Sequence, residues 1–241
     1  MSDAAMPVNA QAGEAITLPS LNPLERRILG VLIEKAKTTP DNYPMTLNAL
    51  VTGCNQKSNR EPVMDVSDAE IEEAIPRLKQ LGLMQQILGS GRTDKFRHCL
   101  YDAWRIDKQQ IAIIGELLLR GAQSEGDLRG RASRMEPFAD LDAIRPVVKA
   151  LSERGLVVYL TPEGRRGTMV THGFHTPDEL QLIKARAERF AFDEPPPVAG
   201  TSAVSKSSAL ESRVTQLEQT VQELKEQITS LQALFNKSSN L

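Results

Sequence analysis

The sequence is short of the residues most chemistry needs. It holds two cysteines, Cys54 and Cys99, and three histidines, His98, His172 and His175, in 241 residues. The cysteines do not form a CxxC pair, so the usual zinc and dithiol motifs are excluded. Two thiols are also too few for a disulfide framework, and reduced thiols in a cytoplasmic protein are the expectation. His172 and His175 are spaced HxxH, but on a hairpin residues three apart point to opposite faces, which makes a poor metal pair. Cys54 has no basic and acidic partners in sequence for nucleophilic work and is expected to pack beneath a helix. The Gly-rich stretch "LGSGRT" lacks the lysine and the length of a phosphate loop. No catalytic residue, metal or cofactor is expected. Aromatics make up 4% of the chain, so the core must be aliphatic.

Long apolar runs are missing too. The longest, "IAIIGELLL", is broken by Glu116 and is far too short to span a bilayer. The first twenty residues contain no Lys, no Arg and no apolar run; they are expected to be a disordered tail rather than a secretory signal. Net charge is −2, which excludes a uniformly basic protein. The distribution is uneven, though. Residues 21–192 carry 25 Lys+Arg against 23 Asp+Glu, and the flanks carry 4 against 8. The acidic excess is therefore outside the segment expected to fold, and nucleic acid remains open as a partner.

What is present is a repeat. "PLERRILGVLIEKAK" puts Ile28, Leu29, Leu32 and Ile33 on one helical face, capped by Asn22 with Pro23 at N1 and Glu25 at N3. Thr46 opens a second helix, "TLNALVTGCNQ". Ser67 opens a third, "SDAEIEEAIPRLKQLGL", with Glu70 completing a capping box; Ile71, Ala74, Ile75 and Leu78 form its stripe, Pro76 is expected to bend it, and Gly82 ends it. Two strand-like runs around Gly-Ser-Gly then predict a hairpin. The order returns: "DKQQIAIIGELLLRG", a short helix from Ser124, "DLDAIRPVVKALSERGL" with Pro146 inside, and the hairpin "LVVYLTPEGRRGTMVTHGF". Leu78, Gly82 and Leu83 recur as Leu151, Gly155 and Leu156 at a constant offset of 73. Three helices and a hairpin, seen twice, predict tandem winged helix-turn-helix domains. Thr176 to Glu179 start a further helix, and "DEPPPVAGTSAVSKSS" is a Pro/Ser linker.

The last segment carries heptads. Leu210, Leu217, Leu224 and Leu231 at d alternate with Val214, Val221, Ile228 and Phe235 at a, which favours a parallel two-stranded coiled coil. Arg213 at g would face Glu218 at e of the partner. The fold class is thus α+β and mainly helical. The expected organisation is a tail over 1–20, winged-helix domains over 21–104 and 105–175, a helix over 176–192, a linker over 193–207 and a dimerising coiled coil over 208–236.

"TTPDNYPMTLNALVTGCNQKSNREPV" followed by "LLLRGAQSEGDLRGRASRM" resembles the bacterial YceH family of uncharacterised proteins, over about Leu21 to Thr171. The resemblance implies two tandem winged-helix domains and supplies no activity, substrate or catalytic residue.

Binding is therefore the expected function. The third helix of the first domain begins with Asp65, Asp68, Glu70, Glu72 and Glu73, which repel phosphate. Cations stand elsewhere: Arg92, Lys95 and Arg97 on the first wing, Arg165 and Arg166 on the second, and Arg129, Arg131 and Arg134 on the second helix of the second domain. "NQKSNR" gathers Asn55, Gln56, Lys57, Asn59 and Arg60, more amides and cations than capping a helix needs. These residues are expected to form a binding surface or, in the plainer alternative, to build the loop. The leading expectation is a non-enzymatic, dimeric, regulator-like DNA-binding protein using wings and second helices. The alternative is a protein–protein scaffold on the same fold, with no membrane association in either case.

Overall fold

A computed structural model describes residues 18–88 and 93–192. Residues 1–17 of the expected tail, the linker and the heptad segment, with Leu210, Val214, Leu217, Val221, Leu224, Ile228, Leu231 and Phe235, lie outside the described residues, as does Arg92; the last three tail residues are described, and Leu18 packs against the core.

The chain alternates helices with two small antiparallel sheets, a mixed α+β architecture. The first half runs α1 (Pro23–Thr38), β1 (Met45–Thr46), α2 (Leu47–Cys54), α3 (Asp68–Gln80), β2 (Met84–Leu88) and β3 (Asp94–His98). A short α4 (Leu100–Trp104) leads to the second half: α5 (Lys108–Arg120), β4 (Gln123–Ser124), α6 (Glu125–Ala132), α7 (Leu141–Glu153), β5 (Val157–Tyr159) and β6 (Met169–His172). α8 (Pro177–Phe192) follows. The sheets have the same order, β1-β3-β2 and β4-β6-β5.

The predicted caps form. Asn22 and Glu25 make a reciprocal capping box on α1, Ser67 and Glu70 another on α3, and Thr46 and Ser124 accept from Ala49 and Asp127 at the starts of α2 and α6. Each satisfies helix-start amides that would otherwise have no partner. The repeat is visible atom by atom. Gly82 and Gly155 adopt φ of +69° and +74°. Past them, the amides of Leu83 and Leu156 bond back to the carbonyls of Leu78 and Leu151 at 3.0 and 2.9 Å. A left-handed residue after the last helical turn is where glycine costs least. α3 and α7 run through Pro76 and Pro146, both exposed, where solvent can satisfy the carbonyl that proline leaves unbonded.

The halves share one continuous core. The sequence pattern predicts a single apolar face on α1, yet every residue from Glu25 to Glu34 is buried. The second face packs on α5, an element far away in sequence and invisible to local periodicity. Two glycines make this crossing close. A Cβ on Gly30 would lie 2.9 Å from the Leu119 side chain, and one on Gly115 would lie 2.6 Å from Ile33 Cγ2. α4 was not anticipated. Its Trp104 stacks on Phe174 with ring centroids 4.6 Å apart, tying the first half to the end of the second.

Candidate functional site

The amide-rich stretch after α2 divides on inspection into interior and exterior. α2 ends at Cys54, two residues earlier than its sequence pattern suggests, and Asn55 is its C-cap. The Asn55 amide then clamps the loop shut: its Nδ2 donates to the Val66 carbonyl at 2.7 Å and its Oδ1 accepts from the Val66 amide at 2.8 Å. Asn59 takes a left-handed φ of 59°, which Asn tolerates better than most residues, and its Oδ1 accepts from Arg120 Nη2 at 2.5 Å.

Arg60 corrects the surface expectation outright. It is 4% exposed. Its Nε donates to the Gly53 carbonyl at 3.0 Å, its Nη1 to the Asn59 carbonyl at 2.9 Å, and its Nη2 to Glu34 Oε2 at 2.6 Å. A buried guanidinium without such partners would be prohibitive. Burial alone would raise the Glu34 carboxyl. The hydrogen bonds and charge of Arg60, with Lys35 and Arg134 close by, outweigh burial and hold the group below the ordinary carboxylate range. Arg27, also buried, donates to the carbonyls of Cys54 and Pro62 at 2.9 and 2.5 Å. Asn55, Asn59 and Arg60 therefore build the loop. Gln56 is half-buried and its Oε1 accepts from Arg60 Nη2 at 3.2 Å, while Lys57 and Ser58 are the exposed residues of the stretch.

The cations of the second half are also engaged by the fold, though Arg129 and Arg131 stay half-buried and Arg134 exposed. Arg134 bonds Glu116 Oε2 at 3.1 Å and reaches Glu34 Oε1 at 3.5 Å, joining the same ionic network across the two halves. Arg131 donates to Gln123 Oε1 at 3.0 Å, and Arg129 to the carbonyls of Phe138 and Ala139 at 3.5 and 3.3 Å. α6 thus uses the guanidinium groups of Arg129 and Arg131 to brace its own junction, so these two are held by the fold and not free at the surface. On the hairpins, Arg97 is exposed and pairs across the strand with Gln85 at 2.6 and 2.9 Å. Lys95 is half-buried, and Arg165 and Arg166 are exposed at the turn between β5 and β6.

The histidines overturn one geometric expectation. His172 ends β6 and the chain turns at Gly173, so the strand pleat no longer separates it from His175. The two rings stack with centroids 3.9 Å apart. His175 Nδ1 lies 2.6 Å from Arg26 Nη1 and its Nε2 lies 3.0 Å from Thr171 Oγ1, which occupies both ring nitrogens. Burial, followed by the nearby Arg26 charge, pushes His175 down to about 4. Among the described residues no group of three His, Cys, Asp or Glu comes together as a metal would require. The Cys54 thiol is fully buried and burial pushes it up to about 12, so it remains protonated.

One concavity was not legible in the sequence. A cleft of about 530 Å³ opens between the end of α1, the turn at Pro40–Asn42, β1 and α2, with Lys95 of β3 on its far wall. Pro44, Met45, Ala49 and Gly53 form its apolar lining. Lys35, Thr39, Asn42, Thr52 and Gln56 supply polar groups, and Asp41 is the single carboxylate on the lining. Gly53 is the residue that lets α2 lie so close to α1, since a Cβ there would meet Val31 Cγ1 at 2.6 Å. The volume is within the range of ligand sites, which are apolar concavities with a few placed polar groups. Among the sequence-predicted residues, this cleft brings together Gln56 and Lys95. Lys35, Thr39 and Asn42 were missed, although Thr39 and Asn42 belong to "TTPDNYP", a run with four turn-forming residues.

Comparison with known proteins gives the following. Residues 21–166 match the family described as "Protein of unknown function, DUF480". A UPF0502 protein of Rhodopirellula baltica is 44% identical over 202 residues, covering 83% of this chain and 85% of that protein. A UPF0502 protein of Xanthomonas campestris pv. campestris is 40% identical over 221 residues, covering 91% and 96%. One from Geobacter sulfurreducens is 47% identical over 155 residues, covering 63% and 71%.

Proposed function

This chain belongs to the DUF480 family of proteins of unknown function, and we propose that it works as a non-enzymatic protein-binding scaffold. In this reading the two repeats are tandem winged-helix modules of the YceH type, the heptad segment pairs two copies in parallel, and the assembly acts in the cytoplasm. The observation that carries it is the cleft of the first repeat, about 530 Å³ with an apolar lining and a polar rim. A concavity of that size accepts a side chain or a short peptide. A DNA duplex is read instead by a convex element entering its groove. The helix that a winged module usually presents to DNA, α3, has Asp68, Glu70, Glu72 and Glu73 exposed, which disfavours phosphate. Pairing two copies would double the valency of a weak site.

A second reading is favoured by one specific observation. Arg165 and Arg166 are exposed at the second hairpin turn, where a wing contacts a DNA backbone, and neither guanidinium has a hydrogen-bond partner among the described residues. The test is affinity capture with the full chain, with and without nuclease, set beside the Lys35→Gln/Lys95→Gln variant. A protein that survives nuclease and is lost with the variant supports the scaffold. Recovery of nucleic acid alone, unaffected by the variant, overturns it in favour of the wing.

A further inference from the structure

We propose that the cleft of the first repeat recognises an acidic, apolar-containing peptide segment, with a carboxylate held between Lys35 and Lys95. This rests on the reading of the chain as a protein-binding module and names the chemistry of the partner. Lys35 comes from the last turns of α1 and Lys95 from the middle of β3, so two elements from different parts of the fold bring cations to one concavity. Lys35 has a loose ion pair, 3.8 Å to Glu34 Oε2, and that carboxylate is already engaged at 2.6 Å by Arg60. Lys95 has no ion pair among the described residues. Asp41, the single carboxylate on the lining, is exposed and forms no ion pair there either. The amides of Asn42 and Gln56 at the rim can donate to a peptide carbonyl or carboxylate, while the Thr52 hydroxyl already donates to the Asn48 carbonyl at 2.9 Å.

The lining chooses between anions. Pro44, Met45 and Ala49 give an apolar floor that an inorganic phosphate or a sugar–phosphate backbone would leave unfilled, and that an aliphatic side chain fills. A segment alternating acidic and aliphatic residues satisfies both walls at once. Ammonium groups that meet a carboxylate out of bulk water form the stronger, charge-assisted class of hydrogen bond.

The probe is an eight-residue, dye-labelled peptide alternating Leu and Glu, titrated into the full chain by fluorescence anisotropy. Peptides alternating Leu with Gln and Leu with Lys, and a twenty-base-pair duplex, are run alongside. The acidic peptide is expected to bind, the Gln peptide about tenfold more weakly, and the Lys peptide not measurably. Lys35→Gln and Lys95→Gln should each weaken the acidic peptide about tenfold, the loss of one charge-assisted hydrogen bond. Both side chains reach solvent, so the melting temperature should be unchanged. Thr52→Trp, which fills the cleft from an exposed position, should abolish binding. Equal affinity for the Glu and Gln peptides, no binding of the acidic peptide, or indifference to both lysine changes overturns the assignment. So does duplex binding that is lost with the same lysines. A nuclease-resistant partner that ignores both lysine variants overturns the cleft while leaving the scaffold reading intact; failure of every peptide with retention of the duplex removes both.

Discussion

Arg60 Nη2 sits 2.6 Å from Glu34 Oε2, and the two side chains keep 0% and 4% of their surface. One belongs to the turn after α2 and the other to α1, and Arg134 of the second half reaches the same carboxylate. Arg60→Ala leaves a buried carboxylate short of its main partner and frees the Gly53 and Asn59 carbonyls. The expected loss is about 3–5 kcal/mol of stability, the usual result of removing one member of a buried pair. Replacing both, Arg60→Met with Glu34→Leu, should recover most of it. Chemical denaturation of the three proteins checks this, and an Arg60→Ala protein as stable as the wild type would refute it.

Gly115 is the tightest point of the crossing between α1 and α5. A Cβ there falls 2.6 Å from Ile33 Cγ2 and 3.2 Å from Ile33 Cβ, inside a core with no slack to absorb it. Gly115→Ala should therefore cost about 1–3 kcal/mol, as overpacking does, although Ala is the better helix former by about 1 kcal/mol. Ile33→Ala alone also destabilises, by leaving a cavity. The double variant should be more stable than the sum of the two single losses predicts. Strict additivity in thermal melts would show that the two residues do not compete for the same space.

Much of the local architecture was legible because it is written locally. Asn22, Thr46, Ser67 and Ser124 start helices through bonds to residues three positions on, and Gly82 and Gly155 stop helices by their own backbone freedom. The offset of 73 between Leu78 and Leu151 foretold a repeat that the two sheets reproduce. What could not be read was how the halves meet. Glu34, Arg60, Arg134 and Glu116 are separated by up to 100 residues in the bonds they form, and no periodicity announces such a network. That is why Arg60, charged and expected outside, belongs to the interior, and why Arg134, though exposed, turns its guanidinium to the buried carboxylates of Glu34 and Glu116. The HxxH pair failed for a smaller reason, since the strand ends at His172 and the alternation rule ends with it. The cleft depends on Lys95 being carried by β3 to the end of α1, a juxtaposition that exists only in the folded chain.

Three imidazoles set a pH dependence: burial, then the charges of His175 and Arg26, holds His172 well below the ordinary histidine range, and the other two follow the same rule. Burial, then the charges of Arg97 and Lys37, pushes His98 down to about 4, and burial, then Arg26, pushes His175 down to about 4. The folded chain thus holds these last two neutral until about pH 4, while in the unfolded chain each of the three takes a proton near pH 6.5. Between those values the unfolded state binds more protons, so stability is complete above about pH 6.5 and falls as pH drops towards 4. Glu34, depressed in the fold, adds its loss only once pH falls below the ordinary carboxylate value. Denaturant midpoints at pH 7.5, 5.5 and 4.5 should decline in that order, and His98→Gln should flatten the decline between the first two. A midpoint that rises on acidification would contradict the assignment.

The heptads predict the oligomeric state. Leu at d and β-branched residues at three of four a positions select a two-stranded coil, and 29 residues at about 1.5 Å each give a seam of roughly 40 Å. Light scattering on the full chain should return twice the monomer mass, and a chain ending at Ser205 should return the monomer. Glu218→Lys would place like charges opposite Arg213 and should weaken the pair. A truncated chain that remains dimeric would move the interface into the residues before the heptads.

The second hairpin turn gives the test that separates nucleic acid from protein. Arg165 and Arg166 stand exposed, whereas Arg129 and Arg131 are bonded to Phe138, Ala139 and Gln123. If the wing touches a duplex, each guanidinium neutralises about one phosphate and releases its counterion, which contributes about 0.9 to the slope of log affinity against log salt. The double variant Arg165→Ala/Arg166→Ala should then lower that slope by about 1.8 and weaken every sequence alike, because phosphate contacts carry no base information. Arg129→Ala should leave the slope alone, since that guanidinium already serves the loop after α6. Measured by anisotropy across a salt series, a slope reduced by the Arg165/Arg166 pair and untouched by Arg129→Ala assigns duplex binding to the wing. A slope near zero in the wild type removes the DNA reading and leaves the cleft as the surface to pursue.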